Sequence, residues 1–337
     1  MRVLRYILFA ICSFSALCIS AQETSSISYV PRIGGVIRGR WEMLTDGGLN
    51  KFALRNARVN LRGYIAPTID YFFQGDLCNN GKSVFLDGWA RFTLFNSLKI
   101  RAGQFRIPFG VDPFRSPATY IFANRSFIGR DLDNIRAVGV SVAYSVPRIP
   151  LTLEAGVFNP NTINDHSEWS HDKVFASKAS LRLDPITLTG GFQTIIPDLV
   201  RINMADVAVT FNHGSWLAEV EYMYKHYTGN THDDCHAYNA FVDYSLPIKT
   251  SLFERLSVQA RADGSTPHST GYRNADGKLV DNQPYRNRLT VGATLTYKFE
   301  RVRCDLRINY ENYFYHHDYI VTDSRNDRVT AELVLVF

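Results

Sequence analysis

Polar and apolar side chains alternate with a period of two along most of this chain. In the first such segment, Arg38 and Arg40 have one parity, whereas Ile37 and Trp41 have the other. The same alternation returns in later segments, for example LKIRAGQFR at 98–106. Successive side chains of a strand point to opposite faces, so this period predicts strands with one polar and one apolar face. Counting the segments predicts an all-β fold of about sixteen strands.

The predicted connections are alternately short and long. Residues 66–68 and 95–97 form short turns, whereas CNNGKS at 78–83 and the segments 159–172 and 264–285 form longer loops. An even number of strands with short periplasmic turns and longer external loops is typical of a transmembrane antiparallel β-barrel, whose closure leaves no backbone group unpaired in lipid. A soluble all-β protein is the alternative. The 22 Phe and 18 Tyr favour the barrel, because they gather near the segment ends, where a bilayer interface would lie.

The first 21 residues have the pattern of a secretory signal peptide. Basic residues precede an apolar core that is shorter than the ~20 residues a membrane helix needs, and small residues end the segment at Ala21. Cys18 would also allow a lipoprotein signal, but Leu17 stands where such signals carry a small residue. We therefore expect 1–21 to be removed and 22–337 to form one barrel domain in the outer membrane of a Gram-negative bacterium.

The last predicted strand ends on an aromatic residue. Val329, Leu333 and Leu335 share their parity with the terminal Phe337. A terminal phenylalanine on an alternating strand predicts an assembly signal, read by the barrel-assembly machinery.

Basic residues are concentrated on the polar face of the early strands. Residues 22–160 contain 17 Lys and Arg against 10 Asp and Glu, whereas 161–337 contain 18 against 22. Guanidinium groups suit oxyanions such as phosphate and carboxylates, and a row of them predicts a path along which small anions move between successive partners. The alternative is that these residues pair with acids on neighbouring strands and merely fill the lumen. The residues that parity assigns to this path are Arg38, Arg40, Arg58, Arg62, Arg91, Lys99 and Arg101.

The segment 107–126 follows the fifth predicted strand and cannot itself be sheet. Its prolines lack the backbone donor that a strand needs, and basic residues accompany them. We expect this segment to fold inward and narrow the barrel, with an ordinary surface loop as the alternative. The candidate constriction residues are Pro108, Phe109, Gly110, Asp112 and Ser116, and Arg106 and Arg115 extend the predicted anion path.

Candidate catalytic and metal-binding groups are weak in this sequence. His213 and Ser215 share a short turn, but no acid completes a catalytic set with them. The histidines and aspartates between His226 and His236 could hold a divalent ion, although such a cluster is more often just a solvated loop. We therefore expect no reaction, no cofactor and no metal.

The run AGQFRIPFG at 102–110, with Asp112 and Ser116 after it, resembles the signature segment of the phosphate-selective porin O and P family. The upstream segments NARVNLRGYIAPTIDYFFQGDL and LDGWARFTLF resemble the strands that precede that signature in the family. The resemblance is sharp over 36–126 and implies a sixteen-stranded outer-membrane porin with an inward-folded loop after the fifth strand.

By motif position, the resemblance implies that Arg106 and 107–116 form the constriction and that Arg58 and Arg62 lie on the wall facing it. It also implies passive diffusion of small hydrophilic solutes with a bias to anions, a homotrimer in the lipid bilayer, and no binding of nucleic acid. Two alternatives remain. One is a sealed barrel that acts as a surface binding or adhesion protein, and the other is an outer-membrane hydrolase.

Overall fold

Sixteen antiparallel strands form one closed barrel in the computed structural model, and β1 closes the sheet by pairing with β16. The all-β barrel predicted from the sequence is thereby confirmed. The structure describes residues 27–79, 81–132, 136–160, 169–196, 200–248, 250, 252–271, 273–316 and 326–337, so the predicted signal peptide lies outside the described residues. The strands are β1 (Arg32–Leu44), β2 (Asn50–Ala66), β3 (Ile69–Asn79), β4 (Lys82–Leu94), β5 (Leu98–Arg106), β6 (Arg136–Ser145), β7 (Leu151–Phe158), β8 (Val174–Leu183), β9 (Ile186–Ile195), β10 (Ile202–His213), β11 (Trp216–Tyr227), β12 (Cys235–Pro247), β13 (Arg255–Ser265), β14 (Arg286–Phe299), β15 (Val302–Tyr315) and β16 (Arg328–Val336).

The barrel is apolar outside and polar inside. On β14, for example, Leu289 and Val291 are exposed on the outer face, whereas Arg288 and Thr290 are buried in the interior. This arrangement is the reverse of a soluble protein and suits a wall that meets lipid on one side and water on the other. None of the helices in the described part of the chain is long and apolar enough to cross a bilayer.

Two details of the strands differ from the sequence-based prediction. The segment 78–83 is not a long loop, because β3 continues to Asn79 and β4 already begins opposite it at Lys82. Leu86, which simple alternation along β4 with Ala90 and Phe92 would place on the lipid face, is buried instead, and the register of β3 and β4 shifts beside it. A bulge adds one residue to a strand and reverses the parity on one side of itself, which explains why simple alternation failed there.

Apolar side chains pack inside the barrel at the loop-bearing ends of β5 to β12. Phe105 at the end of β5 packs with Ile107, Phe109 and Ile128 from the loop that follows, and with Phe158 at the end of β7. The cluster continues across side chains of β8 to β12, including Val174, Ile202, Met204 and Met223. The open space therefore lies on the other side of the barrel, along β1 to β4.

Candidate functional site

The segment 107–132, here called the lumenal loop, lies inside the barrel and hydrogen-bonds to inward-facing side chains of several strands. The backbone N–H of Val111 donates to Oε1 of Glu221 on β11, at 2.6 Å. The N–H of Ala123 donates to Oδ1 of Asn309 on β15, at 2.7 Å. Because these two acceptors stand on well-separated strands, the loop crosses the bore.

Two arginines hold the lumenal loop in its folded shape. Nη1 of Arg106 donates to the carbonyl oxygens of Pro113 and Arg115, at 2.6 and 2.8 Å. Arg125 donates to the carbonyls of Arg115 and Gly129, at 2.9 and 2.8 Å. These guanidinium groups use backbone oxygens as partners, so no carboxylate cancels their charge through these contacts.

Asp112, a predicted constriction residue, ties the two halves of the loop together. Its Oδ2 accepts a hydrogen bond from the hydroxyl of Ser126 at 2.6 Å, and its Oδ1 pairs with Arg115 at 3.1 Å. Ser116 accepts from the N–H of Ala118 at 3.1 Å and begins a short 3₁₀ turn. These residues therefore shape the loop from within.

The far end of the loop is fixed by a buried ion triad. Glu332 on β16 accepts from Arg38 at 2.6 Å and from Arg307 at 2.8 Å. The same two guanidinium groups donate to loop carbonyls, Arg38 to Ala123 and Arg307 to Tyr120, both at 2.6 Å. One carboxylate thus orients two arginines, which in turn hold the loop against β1 and β15.

A cavity of about 690 Å³, here called the arginine cavity, lies between the lumenal loop and β1 and β2. Nine cationic side chains contribute to its lining, against the single carboxylate of Glu42. The cations are Arg38, Arg40, Lys51, Arg55, Arg58, Arg125, Arg130, Arg136 and Arg328.

Acidic residues behind the lining neutralise part of this charge. Arg58 pairs with Asp76 at 2.8 Å, and Arg136 pairs with Asp87 at 2.9 Å. Arg55, by contrast, has no carboxylate within ion-pair distance among the residues that the structure describes. The cavity therefore keeps a net positive charge, although less than the number of its arginines suggests.

Arg55 was missed by the sequence analysis because it stands at a bulge. Arg38 of β1 is opposite Asn56, but the next residue of β1, Gly39, is opposite Leu54, so Arg55 has no partner in the register. Simple alternation would put Arg55 on the lipid face beside Ala57, and the bulge turns it into the lumen. Arg136 was also missed, since the first residue of a strand shows no alternation with residues before it.

A second cavity, here called the lower cavity, has a volume of about 510 Å³ and lies at the end of β1 to β4 where short turns join the strands. The predicted residues Arg62 and Arg91 line it together with Arg32. Arg91 donates to both carboxylate oxygens of Asp70, at 3.0 and 2.7 Å. Arg32 and Arg62 face each other in the register of β1 and β2, and neither has an ion-pair partner in the described ranges.

The remaining predicted path residues lie outside both cavity linings. Arg101 pairs with Glu154 at 2.5 Å, and its guanidinium lies 4.0 Å from the centre of the Phe105 ring. Arg115 pairs with Glu219 on β11 at 2.5 Å. Lys99 lies on β5 opposite Thr93 of β4.

Three of the predicted constriction residues belong to the buried start of the loop. Phe109 is part of the apolar cluster, and Pro108 and Gly110 flank it in sequence. Gly110 has a φ of +66°, which favours glycine, and its carbonyl accepts a hydrogen bond from Lys178 of β8.

The external loop between β11 and β12 was considered above as a metal site. His226 Nδ1 lies 2.7 Å from Oδ1 of Asp234, and the hydroxyl of Tyr224 donates to the same carboxylate. The hydrogen bonds from Tyr224 and His226 lower the pKa of Asp234 below its usual value. Among the described residues, no three His, Cys, Asp or Glu side chains are grouped in a way that could hold a metal ion.

The fold is similar to solved outer-membrane proteins. OmpT of Vibrio cholerae in its trimer form has a TM-score of 0.61 at 12% identity, over 91% of this chain and 99% of that one. Salmonella typhi OmpF in complex with daunomycin has a TM-score of 0.60 at 14% identity, over 91% and 97%. The outer-membrane channel DcaP of Acinetobacter baumannii has a TM-score of 0.60 at 10% identity, over 95% and 100%. At these identities the similarity shows the fold alone.

A comparison with curated protein sequences found no significant match. A family model described as phosphate-selective porin O and P matches residues 45–183, which include β2 to β8 and the whole lumenal loop. Over residues 45–183, this match confirms the resemblance to the phosphate-selective porin O and P family that the sequence showed.

Proposed function

We propose that this chain forms a water-filled channel in the outer membrane, through which small hydrophilic solutes diffuse passively and anions such as phosphate are favoured. The porin family match and the barrel fold support the channel. The single observation that carries the anion bias is the arginine cavity, whose lining includes nine cations but only one carboxylate.

The lumenal loop acts in this proposal as the constriction. The apolar cluster packs at the loop-bearing ends of β5 to β12, and the loop is bonded to β1, β11 and β15. Solutes therefore pass along β1 and β2, which contribute to the lining of both the arginine cavity and the lower cavity. Arg55, Arg58 and Arg62 follow each other along β2, the first two in the lining of the arginine cavity and Arg62 in that of the lower cavity.

Paired and unpaired arginines have different tasks along this path. Those with a carboxylate behind them, such as Arg58, offer N–H donors but little net charge. Arg55 and Arg62 carry charge that no described carboxylate cancels by ion pairing, so they attract anions and repel cations. A series of such partners lets an anion exchange its hydration shell stepwise without being trapped at one site.

Reversal potentials in planar bilayers under a salt gradient test the anion bias. We expect the wild-type protein to favour chloride over potassium, and Arg55→Gln to weaken that preference clearly. Arg182→Gln is the matched control, because Arg182 is an exposed arginine on β8, on the other side of the barrel. A cation preference in the wild-type protein, or an equal effect of both variants, would overturn the anion proposal.

A sealed barrel that binds ligands at the cell surface is the second candidate. The lumenal loop is the observation that favours this second candidate, because the loop and the apolar cluster occupy much of the bore. That candidate predicts no steady conductance from purified protein in the same bilayers. Discrete steps of conductance, as expected for a water-filled channel, would reject this second candidate.

We further propose that the chain assembles as a homotrimer. The supporting observation is the similarity of its fold to OmpT of Vibrio cholerae, which is described in a trimer form. Light scattering on the detergent-solubilised protein, corrected for bound detergent, tests this number. A mass equal to one chain would contradict it.

A further inference from the structure

A row of four side chains runs across the lower cavity at one height. Arg32 on β1 is opposite Arg62 on β2, which is opposite Phe72 on β3, which is opposite Trp89 on β4. Neighbouring strands lie about 4.8 Å apart, so two guanidinium groups and two aromatic rings follow each other within roughly 15 Å. All four contribute to the lining of the lower cavity.

The two rings form a ledge beside the apolar cluster, against which Trp89 packs. Their centroids are 5.6 Å apart with an interplanar angle of 24°, and both side chains are only half buried. Gly103 lies opposite Trp89 on the next strand and brings no side chain against the ring, whereas Arg101 of that strand places its guanidinium 5.6 Å from the ring centre. The exposed part of the two rings is an apolar surface beside the open space of the lower cavity.

The surrounding charges determine what kind of molecule fits the ledge. The guanidinium of Arg91 lies 5.2 Å from the centre of the Trp89 ring, which keeps this ring next to a positive charge. Arg32 and Arg62 lack ion-pair partners within the described ranges, so they are available to an anionic group. A molecule with an oxyanion at one end and a flat ring at the other satisfies both halves of the row.

We propose that this row, Arg32, Arg62, Phe72 and Trp89, is a subsite for anions that carry a planar aromatic ring. The oxyanion binds Arg62 and Arg32, and the ring stacks on Trp89 and Phe72. The inference rests on the proposed anion channel and names a class of solute for it. Inorganic phosphate binds only the arginine half of the subsite.

Three phosphates, compared at a pH above all their second pKa values so that each is a dianion, test the stacking. In bilayers, we expect phenyl phosphate to reduce the chloride current at concentrations about 3- to 10-fold lower than cyclohexyl phosphate, because only the flat ring stacks. Inorganic phosphate measures the contribution of the arginines alone. Trp89→Leu removes the preference for phenyl phosphate and leaves the effect of inorganic phosphate unchanged, whereas Arg62→Gln weakens the effect of all three.

Trp216→Leu is the matched control, because Trp216 is exposed on β11 among residues of lipid-facing parity and touches no lumenal solute. Phe72→Leu is a second ledge variant, in case Trp89→Leu does not fold. Quenching of tryptophan fluorescence by phenyl phosphate in detergent measures binding without depending on conductance. The part of the quenching that is lost in Trp89→Leu reports binding at this subsite.

The outcomes separate this inference from the proposed function. Equal effects of phenyl and cyclohexyl phosphate, or a preference that survives in both ledge variants, overturn the subsite even if the channel favours chloride. Absence of a chloride current with retained, Trp89-dependent quenching overturns the channel and supports the subsite. A preference lost only in the ledge variants supports both.

Discussion

The ring of Phe337 lies where a side chain at Gly35 would have to be. The N–H of Gly35 donates to the carbonyl of Phe337 at 2.9 Å, and the N–H of Phe337 donates back at 3.2 Å. A Cβ placed on Gly35 would lie 2.5 Å from Cζ of the phenylalanine ring. The pairing of β1 with β16 therefore extends to Phe337 because β1 has a glycine at this position.

We expect Gly35→Ala to weaken barrel closure. The added methyl group would also lie 2.6 Å from the carbonyl oxygen of Arg58, so backbone as well as the ring must move. Overpacking of this kind costs about 1–3 kcal/mol of stability. The measurement is the temperature at which the folded barrel loses its faster migration in semi-native gel electrophoresis.

Gly39→Ala is the control for that experiment, because a Cβ at Gly39 meets no atom within 4 Å. Both glycines lie on β1, so the two variants differ chiefly in what their methyl groups touch. An equal loss of stability in the two variants would show that the Phe337 contact is unimportant.

Glu221 anchors the lumenal loop, so its replacement is expected to widen the channel. Its side-chain oxygens accept from the N–H groups of Val111 and Asp112, at 2.6 and 3.1 Å. A buried N–H group left without an acceptor costs about 1–3 kcal/mol, and Glu221→Met removes the acceptor at nearly constant volume. We expect a higher single-channel conductance and more current noise.

Removing any lumenal acid also changes the electrostatics, and Asp243→Asn controls for this. Asp243 lies on the neighbouring strand β12 and accepts from Ser245, and among the described residues it has no hydrogen bond or ion pair with the loop. We expect its conductance to stay close to that of the wild-type protein. A conductance in Glu221→Met no higher than in this control would argue against the anchoring role.

Alternation alone predicted the barrel, because a wall between lipid and water imposes one strict period on every strand. The pattern fails where a bulge adds a residue, at Arg55 on β2 and at Leu86 on β4. Bulges depend on the pairing between strands, and no local sequence signal in these segments predicts them. The number of strands was therefore predictable, and the full set of lumenal arginines was not.

The ion pairs could not be predicted from the sequence either. Arg38 and Glu332 are 294 residues apart and meet only because β1 closes the barrel with β16. Arg106, which its motif position assigns to the anion path, donates hydrogen bonds to the carbonyl oxygens of Pro113 and Arg115. Parity assigns a side chain to a face of the sheet, but it cannot say whether a partner there will neutralise it.

Glu332→Gln is expected to destabilise the protein strongly. Glu332 is the shared partner of Arg38 and Arg307, and all three side chains are buried. Leaving buried charges without compensation costs about 3–5 kcal/mol. Chemical unfolding in detergent, followed by tryptophan fluorescence, measures the loss.

The matched control is Asp172→Asn, which breaks the solvent-exposed pair of Asp172 with Arg201. Such pairs contribute about 0–1 kcal/mol, so we expect a small effect. Comparable losses in the two variants would mean that burial of the Glu332 triad adds nothing to stability.

Arg106 combines two roles that a charge-conserving substitution separates. Arg106→Lys keeps the positive charge but loses the guanidinium that reaches the carbonyls of Pro113 and Arg115, whereas Arg106→Met loses both. Since the loop is braced by those contacts, we expect more current noise in both variants. Since anion preference depends on charge, we expect it to fall only in Arg106→Met, as a smaller reversal potential in the salt gradient. Currents without added noise in both variants would contradict the bracing role. An unchanged reversal potential in Arg106→Met would show that Arg106 does not contribute to the anion path.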